Sequence, residues 1–367
     1  MKKICLLYGV LLSTVFVACQ GEEDLTASLK DVDRVATQID LSKPIVKDLK
    51  DNFNLGLLYE YNATLDFVYS AETAAAATKW AAVEIPQIKS NFLDANGNFP
   101  AENTAAYQTR VDAALTFVNE SLFKYFKPNS FIASKMPYKV LLSESIYAGQ
   151  DVLQEPISES DSRISSTGQF DLYSVYNRHS IVINVNEDII NATTNKVKND
   201  NFYVFLSRIM DMHNLYDLVP KEFYEEKAPY YGQIMETSYR AELNKGPEKT
   251  IQIIDKNWFF SKGFIDAKYF FNGRIGLGTV TVNKDELGNT ISPALKYDKG
   301  LRPTYSFVSG LKKDVRSYLN EMIHRNATEI NAFPAVTKNN MRLLINMFQG
   351  WGGDIVAFNP ALQVLMN

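Results

Sequence analysis

The chain has 367 residues, of which 46% are hydrophobic and 22% are charged, as in ordinary folded domains. This composition excludes a disordered or fibrous chain. The 38 Lys and Arg residues are balanced by 42 Asp and Glu residues, and the formal net charge is -4. Because nucleic-acid-binding proteins depend on a basic excess, DNA and RNA are excluded as partners.

The N-terminus has the order of segments found in secretory signals. A start with two lysines is followed by an apolar run over residues 4–17, which is too short to cross a membrane, and then by Ala18 and Cys19. The Phe-Val-Ala-Cys sequence that ends at Cys19 resembles a lipobox, so we predict that signal cleavage exposes Cys19 and that its thiol is lipidated. The only other cysteine, Cys5, lies within the signal, so the body has no disulfide and no cysteine-ligated zinc.

An acidic cluster, Gln-Gly-Glu-Glu-Asp, follows the predicted lipidation site. It resembles the signal that sends lipoproteins of some gut-type bacteria to the outer face of the outer membrane, although a solvated tether explains it equally well. We predict a signal peptide over residues 1–18, a lipidated flexible tether over residues 19–40 and a single domain over residues 41–367. No long linker or repeat divides that last segment.

The body begins with mixed elements and ends with helices. Apolar spacing predicts helices over residues 44–52, 105–126, 201–215, 251–264, 308–323 and 339–348. Residues rich in strand formers predict strands over 53–61, 138–146 and 174–185, and residues 272–303 are rich in turns. We therefore predict an α+β domain in which a small sheet packs on helices, and we expect residues 202, 205, 209 and 212 to face the sheet.

The order of these elements resembles a known family. The strands near residues 138–145 and 181 precede the long helix, which is followed by Val219-Pro220-Lys221-Glu222-Phe223. This order is similar to that of the zinc-binding metallopeptidase lipoproteins encoded beside TonB-dependent import systems of the SusC/SusD kind, from about residue 43 to the C-terminus. The resemblance implies a zincin-like fold. It also implies a TonB-dependent transporter and its SusD-like lipoprotein as partners, and a glycan or a peptide as ligand.

The family's metal motif is missing from this chain. In the family the long helix carries His-Glu-x-x-His, whose histidines bind zinc while the glutamate activates a metal-bound water. Alignment on Pro220 puts Ser207, Arg208 and Asp211 at these positions, and Ser317 falls where a later glutamate would stand. Serine is a poor zinc ligand and arginine cannot accept a proton at neutral pH. We therefore predict no catalytic residue, no metal and no cofactor, and an ion pair between Arg208 and Asp211 on one helical face.

The histidines provide no complete substitute for that motif. Asp217 follows His213 by four residues, so a half-site completed by another segment stays open if the helix continues. We place His179 in a strand and His324 on a helix, and we interpret each histidine as a surface residue or a hydrogen-bonded structural residue.

Three other features of the sequence are a glycine-rich run, a charged run and two aromatic residues in turn-like sequences. The glycine-rich residues 273–278 lack the strand and helix that flank a phosphate loop, which favours a hairpin. The run Glu225-Glu226-Lys227 is typical of a solvated face. Tyr230 and Trp351 lie in turn-like sequences and are candidates for exposed rings that bind a sugar or a protein, with burial in the core as the alternative.

Three hypotheses of function follow from these observations. The first is a surface-anchored, non-catalytic accessory or binding lipoprotein of a nutrient-import system, and the second is a divergent zinc-dependent metallopeptidase or hydrolase. The third is a purely structural subunit of an import complex. Three convergent metal ligands would favour the second, and an exposed aromatic groove would favour the first over the third.

Overall fold

A computed structural model describes residues 33–67, 70–71, 79–80, 83–148, 163–164, 170–177, 179–243, 253–269, 273–276, 280–284, 290–297 and 300–366. The predicted signal peptide, Cys19 and the tether up to residue 32 lie outside these residues. The chain divides into the units Met1–Gln38 and Ile39–Asn367. In the first unit, residues 33–38 form turns in which Asp33 Oδ1 accepts the backbone N–H of Val35 at 3.0 Å.

A four-stranded sheet carries the buried strands of the second unit. Its strands are β1 (Gly56–Leu58), β2 (Lys139–Ser143), β3 (Ser174–Tyr176) and β4 (Ser180–Asn184), in the spatial order β1-β2-β4-β3. Strand β2 runs parallel to β1 and β4, and β3 is antiparallel to β4 at one edge. Every residue of β1 and β4 is buried, because both faces of these strands are covered.

Five long helices pack with this sheet around the main hydrophobic core. They are α1 (Pro44–Phe53), α2 (Thr104–Ser121), α3 (Asn195–Met212), α4 (Leu311–His324) and α5 (Ala335–Trp351). Pro44 occupies the first position of α1, where its missing N–H has no partner to lose. Gly352 ends α5 with a φ of 92°, a left-handed conformation that glycine adopts without strain.

Shorter elements connect these helices and strands. The short α-helices are Ala63–Asp66, Glu187–Ile190, Lys221–Tyr224, Met235–Glu242, Lys256–Ser261, Ala327–Asn331 and Ile355–Phe358. The 3-10 turns are Ile88–Phe92, Ala101–Asn103, Phe123–Tyr125, Ala133–Lys135, Leu215–Leu218, Ala228–Tyr230 and Pro360–Leu365. The remaining strands are Ser70–Ala71, Lys79–Trp80, Val83–Glu84, Tyr147–Ala148, Arg163–Ile164, Phe170–Asp171, Ile254–Asp255, Asp266–Tyr269, Gly273–Gly276, Val280–Lys284, Thr290–Tyr297, Gly300–Leu301 and Ser306–Phe307.

A second, smaller core is built mainly from aromatic rings. We call it the small aromatic core, and its buried members are Met235, Ile254, Phe259, Phe264, Ala267, Leu301, Tyr305, Phe307 and Val308. Five partly buried aromatic residues surround these side chains: Tyr230, Tyr231, Tyr239, Trp258 and Phe260. The rings of Phe264 and Phe307 lie 4.8 Å apart at its centre.

The α+β class is confirmed, but several element boundaries differ from the sequence prediction. The strand predicted over residues 174–185 is instead the antiparallel pair β3 and β4. Asn177 explains the break, because its side-chain oxygen accepts the backbone N–H groups of His179 at 3.0 Å and Ser180 at 2.8 Å. His179 is therefore exposed in a turn, and its placement in a strand was wrong.

Pairing between strands that are distant in sequence also makes the elements after residue 250 differ from the prediction. The helix predicted over 251–264 shortens to Lys256–Ser261, because Ile254–Asp255 pairs with Gly300–Leu301. Strand Gly273–Gly276 pairs with the preceding Asp266–Tyr269, and Val280–Lys284 pairs with Thr290–Tyr297, so the glycine-rich residues lie in a strand pair but not in a hairpin with the residues that follow them. Within the described residues, no helix has both the length and the apolar character that crossing a membrane requires.

Candidate functional site

Helix α3 carries the positions that correspond to the family's metal motif, and it is buried on all sides. Every residue from 200 to 210 is buried, including Ser207 and Arg208. The expected burial is confirmed for Phe202, Phe205 and Ile209, whereas residue 212 is half-buried near the helix end, and the rings of Phe202 and Phe205 contact other aromatic rings outside the sheet strands. A helix enclosed in this way lies inside a core rather than on a surface.

The two serines at the matched positions differ in their hydrogen bonding. The hydroxyl of Ser207 is buried and has no hydrogen-bond partner among the described residues. The hydroxyl of Ser317 donates to the backbone carbonyl of Asp314 within its own helix, at 2.6 Å. The guanidinium of Arg208 lies 5.6 Å from the ring centre of Tyr176, on the edge strand β3.

Asp211 forms an ion pair with α4 instead of with its own helix. Its Oδ2 binds the guanidinium of Arg316, and its Oδ1 lies 2.8 Å from the ammonium of Lys312. The Nε of Arg316 also donates to the hydroxyl of Tyr216 at 3.0 Å. We call these four residues the Asp211 cluster. The predicted partner, Arg208, was wrong, because packing of α3 on α4 supplies a cation 105 residues away in the sequence.

Contacts within this cluster, rather than its burial, stabilise the charge of Arg316. The side chains of Asp211 and Arg316 are only 3% and 4% exposed, whereas that of Lys312 is 50% exposed. Burial opposes charge on Arg316, but Tyr216 and Asp211 outweigh it and raise the pKa of the guanidinium. Burial also raises the pKa of Tyr216, so the phenol stays neutral. Two cations and one carboxylate make a site that repels a divalent metal.

The residues at these positions do not fit a zinc ion. A catalytic zinc site needs three protein ligands, and the single ordinary ligand present, Asp211, already binds a cation on each oxygen. Among the residues that the structure describes, no group of three or more His, Cys, Asp or Glu could hold a metal. The His213 and Asp217 half-site also loses its helical spacing, because α3 ends at Met212 and Asp217 lies in the following 3-10 turn.

A second carboxylate joins the opposite ends of the same two helices. Asp200, near the start of α3, accepts contacts from His324 Nε2 at 2.9 Å and Lys196 at 3.1 Å. The other ring nitrogen of His324 lies 2.8 Å from the carbonyl oxygen of Asn320. Burial alone would raise the pKa of Asp200, but its bonds to His324 and Lys196 hold that pKa below the usual range. The interpretation of His324 as a hydrogen-bonded structural residue is confirmed.

The sequence interpretation missed a buried ion pair between Lys227 and Asp314. Lys227 Nζ lies 2.7 Å from Asp314 Oδ2 and 3.4 Å from the ring centre of Phe223. Burial lowers the pKa of Lys227 and raises the pKa of Asp314. Glu225 and Glu226 are exposed, so the predicted solvated face is wrong only for Lys227. Helical spacing from Phe223 gave no signal for this burial, because the helix Lys221–Tyr224 ends before Lys227.

The two candidate binding aromatics are mainly packing residues. Tyr230 is half-buried, and its ring lies 5.3 Å from that of Phe307. Trp351 is the last residue of α5 rather than part of a turn, and its ring lies 5.3 Å from Phe348 and 5.7 Å from Phe131. Of the five aromatic residues named in these contacts, Phe131 is the most exposed, at 38%.

Comparison with known proteins identifies no relative. No model of a protein family matches the chain, and no curated protein or solved structure is significantly similar to it. The resemblance to zinc-binding metallopeptidase lipoproteins and the import partners that it implies therefore stay predictions. The lipidation of Cys19 also stays a prediction, because that residue lies outside the described residues.

Proposed function

We propose that the protein is a lipoprotein of the outer membrane, anchored at Cys19 and displayed on the cell surface. Its zincin-like body acts without catalysis, as an accessory or binding protein of a nutrient-import system. The observation that carries this proposal is the Asp211 cluster, in which two cations bind the carboxylate at a position matched to a metal ligand.

The charge balance of the cluster supports a non-catalytic role. A zinc ion would have to displace the ammonium of Lys312 and the guanidinium of Arg316 from Asp211. Arg316 is almost fully buried, so its displacement would break an ion pair inside the protein. The cations therefore hold α3 and α4 together where a metal would otherwise be needed.

The arrangement of elements supports the zincin-like part of the proposal. The strands β2 and β4 precede α3, and the segment Val219–Phe223 follows it, in the order on which the family resemblance rests. Helix α4 packs against α3, and Arg316, the neighbour of Ser317 in sequence, binds Asp211. An ion pair at a position matched to a metal ligand is what we would expect of a zincin-like protein that has lost its metal chemistry.

The cellular part of the proposal rests on the N-terminal sequence. A lipidated Cys19 followed by an acidic cluster favours the cell surface, where a TonB-dependent transporter and a SusD-like lipoprotein would be the partners. The ligand would be a glycan or a peptide. A purely structural subunit would share this location but would bind no such ligand.

Metal analysis tests the absence of catalysis. The mature chain with Cys19→Ser, which cannot be lipidated, is incubated with zinc, dialysed and examined by elemental analysis and peptidase assay. We expect much less than one zinc per chain and no hydrolysis, with no change on Asp211→Ala. Stoichiometric zinc that survives dialysis and disappears with Asp211→Ala would establish the divergent hydrolase instead.

Membrane fractionation tests the anchor separately. We expect the full-length protein to follow the outer membrane and Cys19→Ala to lose both its acyl chains and this location. The matched control is Cys5→Ala, because Cys5 lies in the signal that is removed, and this variant should be lipidated normally. If Cys19→Ala still carries acyl chains, the anchor is wrong, whereas pull-down of a transporter distinguishes an import partner from another surface role.

A further inference from the structure

Two hydrophobic cores meet at a buried ion pair that lies outside the Asp211 cluster. Lys227 and Asp314 have side-chain exposures of 3% and 0%, and their charged atoms are 2.7 Å apart. Asp314 belongs to α4 and the main core, whereas Tyr231, which surrounds the small aromatic core, donates its hydroxyl to Asp314 Oδ2 at 2.9 Å. One carboxylate oxygen therefore links the two cores.

Aromatic rings from both cores enclose the lysine ammonium. It lies 3.4 Å from the ring centre of Phe223 and 4.8 Å from that of Tyr318, both in the main core. It also lies 5.7 Å from the ring centre of Phe264 in the small aromatic core. Each ring presents its electron-rich face to a cation, so the charge favours contact with both cores at once.

Backbone contacts at Gly263 reinforce this junction. The hydroxyl of Tyr318 donates to the Gly263 carbonyl at 2.6 Å, and the amide nitrogen of Asn340 donates to the Tyr318 hydroxyl at 3.0 Å. Gly263 has a φ of +75°, and a Cβ there would lie 3.2 Å from Lys227 Cδ and 3.1 Å from Asn340 Nδ2. The segment that leads into Phe264 can approach α4 and α5 this closely only because residue 263 lacks a side chain.

We propose that the Lys227 and Asp314 pair controls a lobe motion, in which the small aromatic core opens from the main core as a unit when the pair is broken. The physical reason is that loss of either group leaves a polar group buried without its partner, and entry of water at the junction would solvate that group. The main core keeps its own sheet and helices, so it stays folded while the lobe opens. This inference is independent of the proposed function, since it uses none of the residues of the Asp211 cluster.

Hydrogen exchange followed by mass spectrometry, on the mature chain carrying Cys19→Ser, tests whether the small aromatic core (the lobe) opens as a unit. For Lys227→Met we expect exchange in residues 256–267 and 301–308 to rise by about tenfold or more, while exchange in α3 stays within about twofold of the parent. The matched control is Lys262→Met, because Lys262 also lies 5.5 Å from aromatic ring centres, those of Tyr230 and Trp258, but binds the exposed Glu242. We expect that control to change exchange by less than about threefold.

Two further variants keep the proposal testable if Lys227→Met does not fold. Tyr231→Phe removes only the hydroxyl bond to Asp314 and should raise exchange selectively in the lobe by about threefold. The double variant Lys227→Met with Asp314→Asn removes both charges and should recover most of the lost protection. Equal rises in α3 and in the lobe, or unchanged protection of the lobe in both Lys227→Met and Tyr231→Phe, would overturn the proposal.

Discussion

The two ends of the contact between α3 and α4 are each closed by an aspartate, but the partners differ. Asp200 at the start of α3 contacts His324 at the end of α4, and Asp211 near the end of α3 binds Arg316. A guanidinium stays protonated at any physiological pH, whereas an imidazole does not. The permanent cation binds Asp211 near the end of α3, so the charge of the guanidinium there does not depend on physiological pH.

The largest expected effect tests whether these bridges or the apolar packing between them contribute more to the free energy of unfolding. Phe205 lies between the bridges, is fully buried, and contacts the ring of Phe123 at 5.5 Å. We expect Phe205→Ala to lower the free energy of unfolding by about 3–5 kcal/mol, measured by chemical denaturation. The half-buried Met212 provides a control, and Met212→Ala should cost less. An unchanged midpoint for Phe205→Ala would show that α3 is peripheral.

The next test breaks the bridge that carries the permanent cation. Asp211→Asn removes the carboxylate that binds the buried guanidinium of Arg316, so we expect a loss of about 3 kcal/mol, the low end for a broken buried pair. The double variant with Arg316→Met should recover most of this loss, because the buried charge that lost the Asp211 carboxylate is then removed as well. If the double variant is no more stable than Asp211→Asn, unpaired charge is not the cause of the loss.

The opposite bridge should respond to acid. The pKa of Asp200 is lowered in the folded protein, because its bonds to His324 and Lys196 outweigh burial. A lowered carboxyl pKa contributes stability that is present above the unfolded value near 3.8 and is lost as the pH falls through the folded value. Urea unfolding of the wild type and Asp200→Asn should therefore differ above about pH 4 and converge in stronger acid. A difference that stays constant down to pH 2 would contradict this linkage.

The smallest expected effect belongs to the exposed member of the Asp211 cluster. Lys312 is half exposed, so water screens its contact with Asp211. We expect Lys312→Gln to cost less than about 1 kcal/mol, and salt should reduce the difference further. A loss as large as that of Asp211→Asn would mean that Arg316 alone does not balance the carboxylate.

The spacing of residues along the chain predicted helices and strands better than it predicted the ion-pair partners of individual side chains. The apolar repeat in α3 predicted both the helix and the burial of Phe202, Phe205 and Ile209. The same local reasoning chose Arg208 as the partner of Asp211, because an i,i+3 neighbour on one helix is all that a short window contains. Which cation reaches Asp211 depends on how α4 crosses α3, and no spacing within α3 contains that information.

Local sequence also failed to predict the burial of Lys227. A lysine beside two glutamates is typical of a solvated face, and both glutamates are indeed exposed. The lysine is enclosed because Phe223, Tyr318 and Phe264 come together from three separate segments of the chain. The cost of its burial is offset by Asp314, a residue whose approach depends on the packing of α4.

The amino-acid sequence by itself determined the α+β class, the main helices and the absence of a His-Glu-x-x-His motif, because these depend on residue identity and on periods of a few residues. Only the tertiary structure decided that Asp211 binds Arg316 and Lys312, and that Lys227 is paired inside the protein. The physical reason is that the free energy of a charge depends on its burial and on the counter-ions within a few ångströms. Those neighbours come from distant parts of the chain, so they are defined only when the helices have packed.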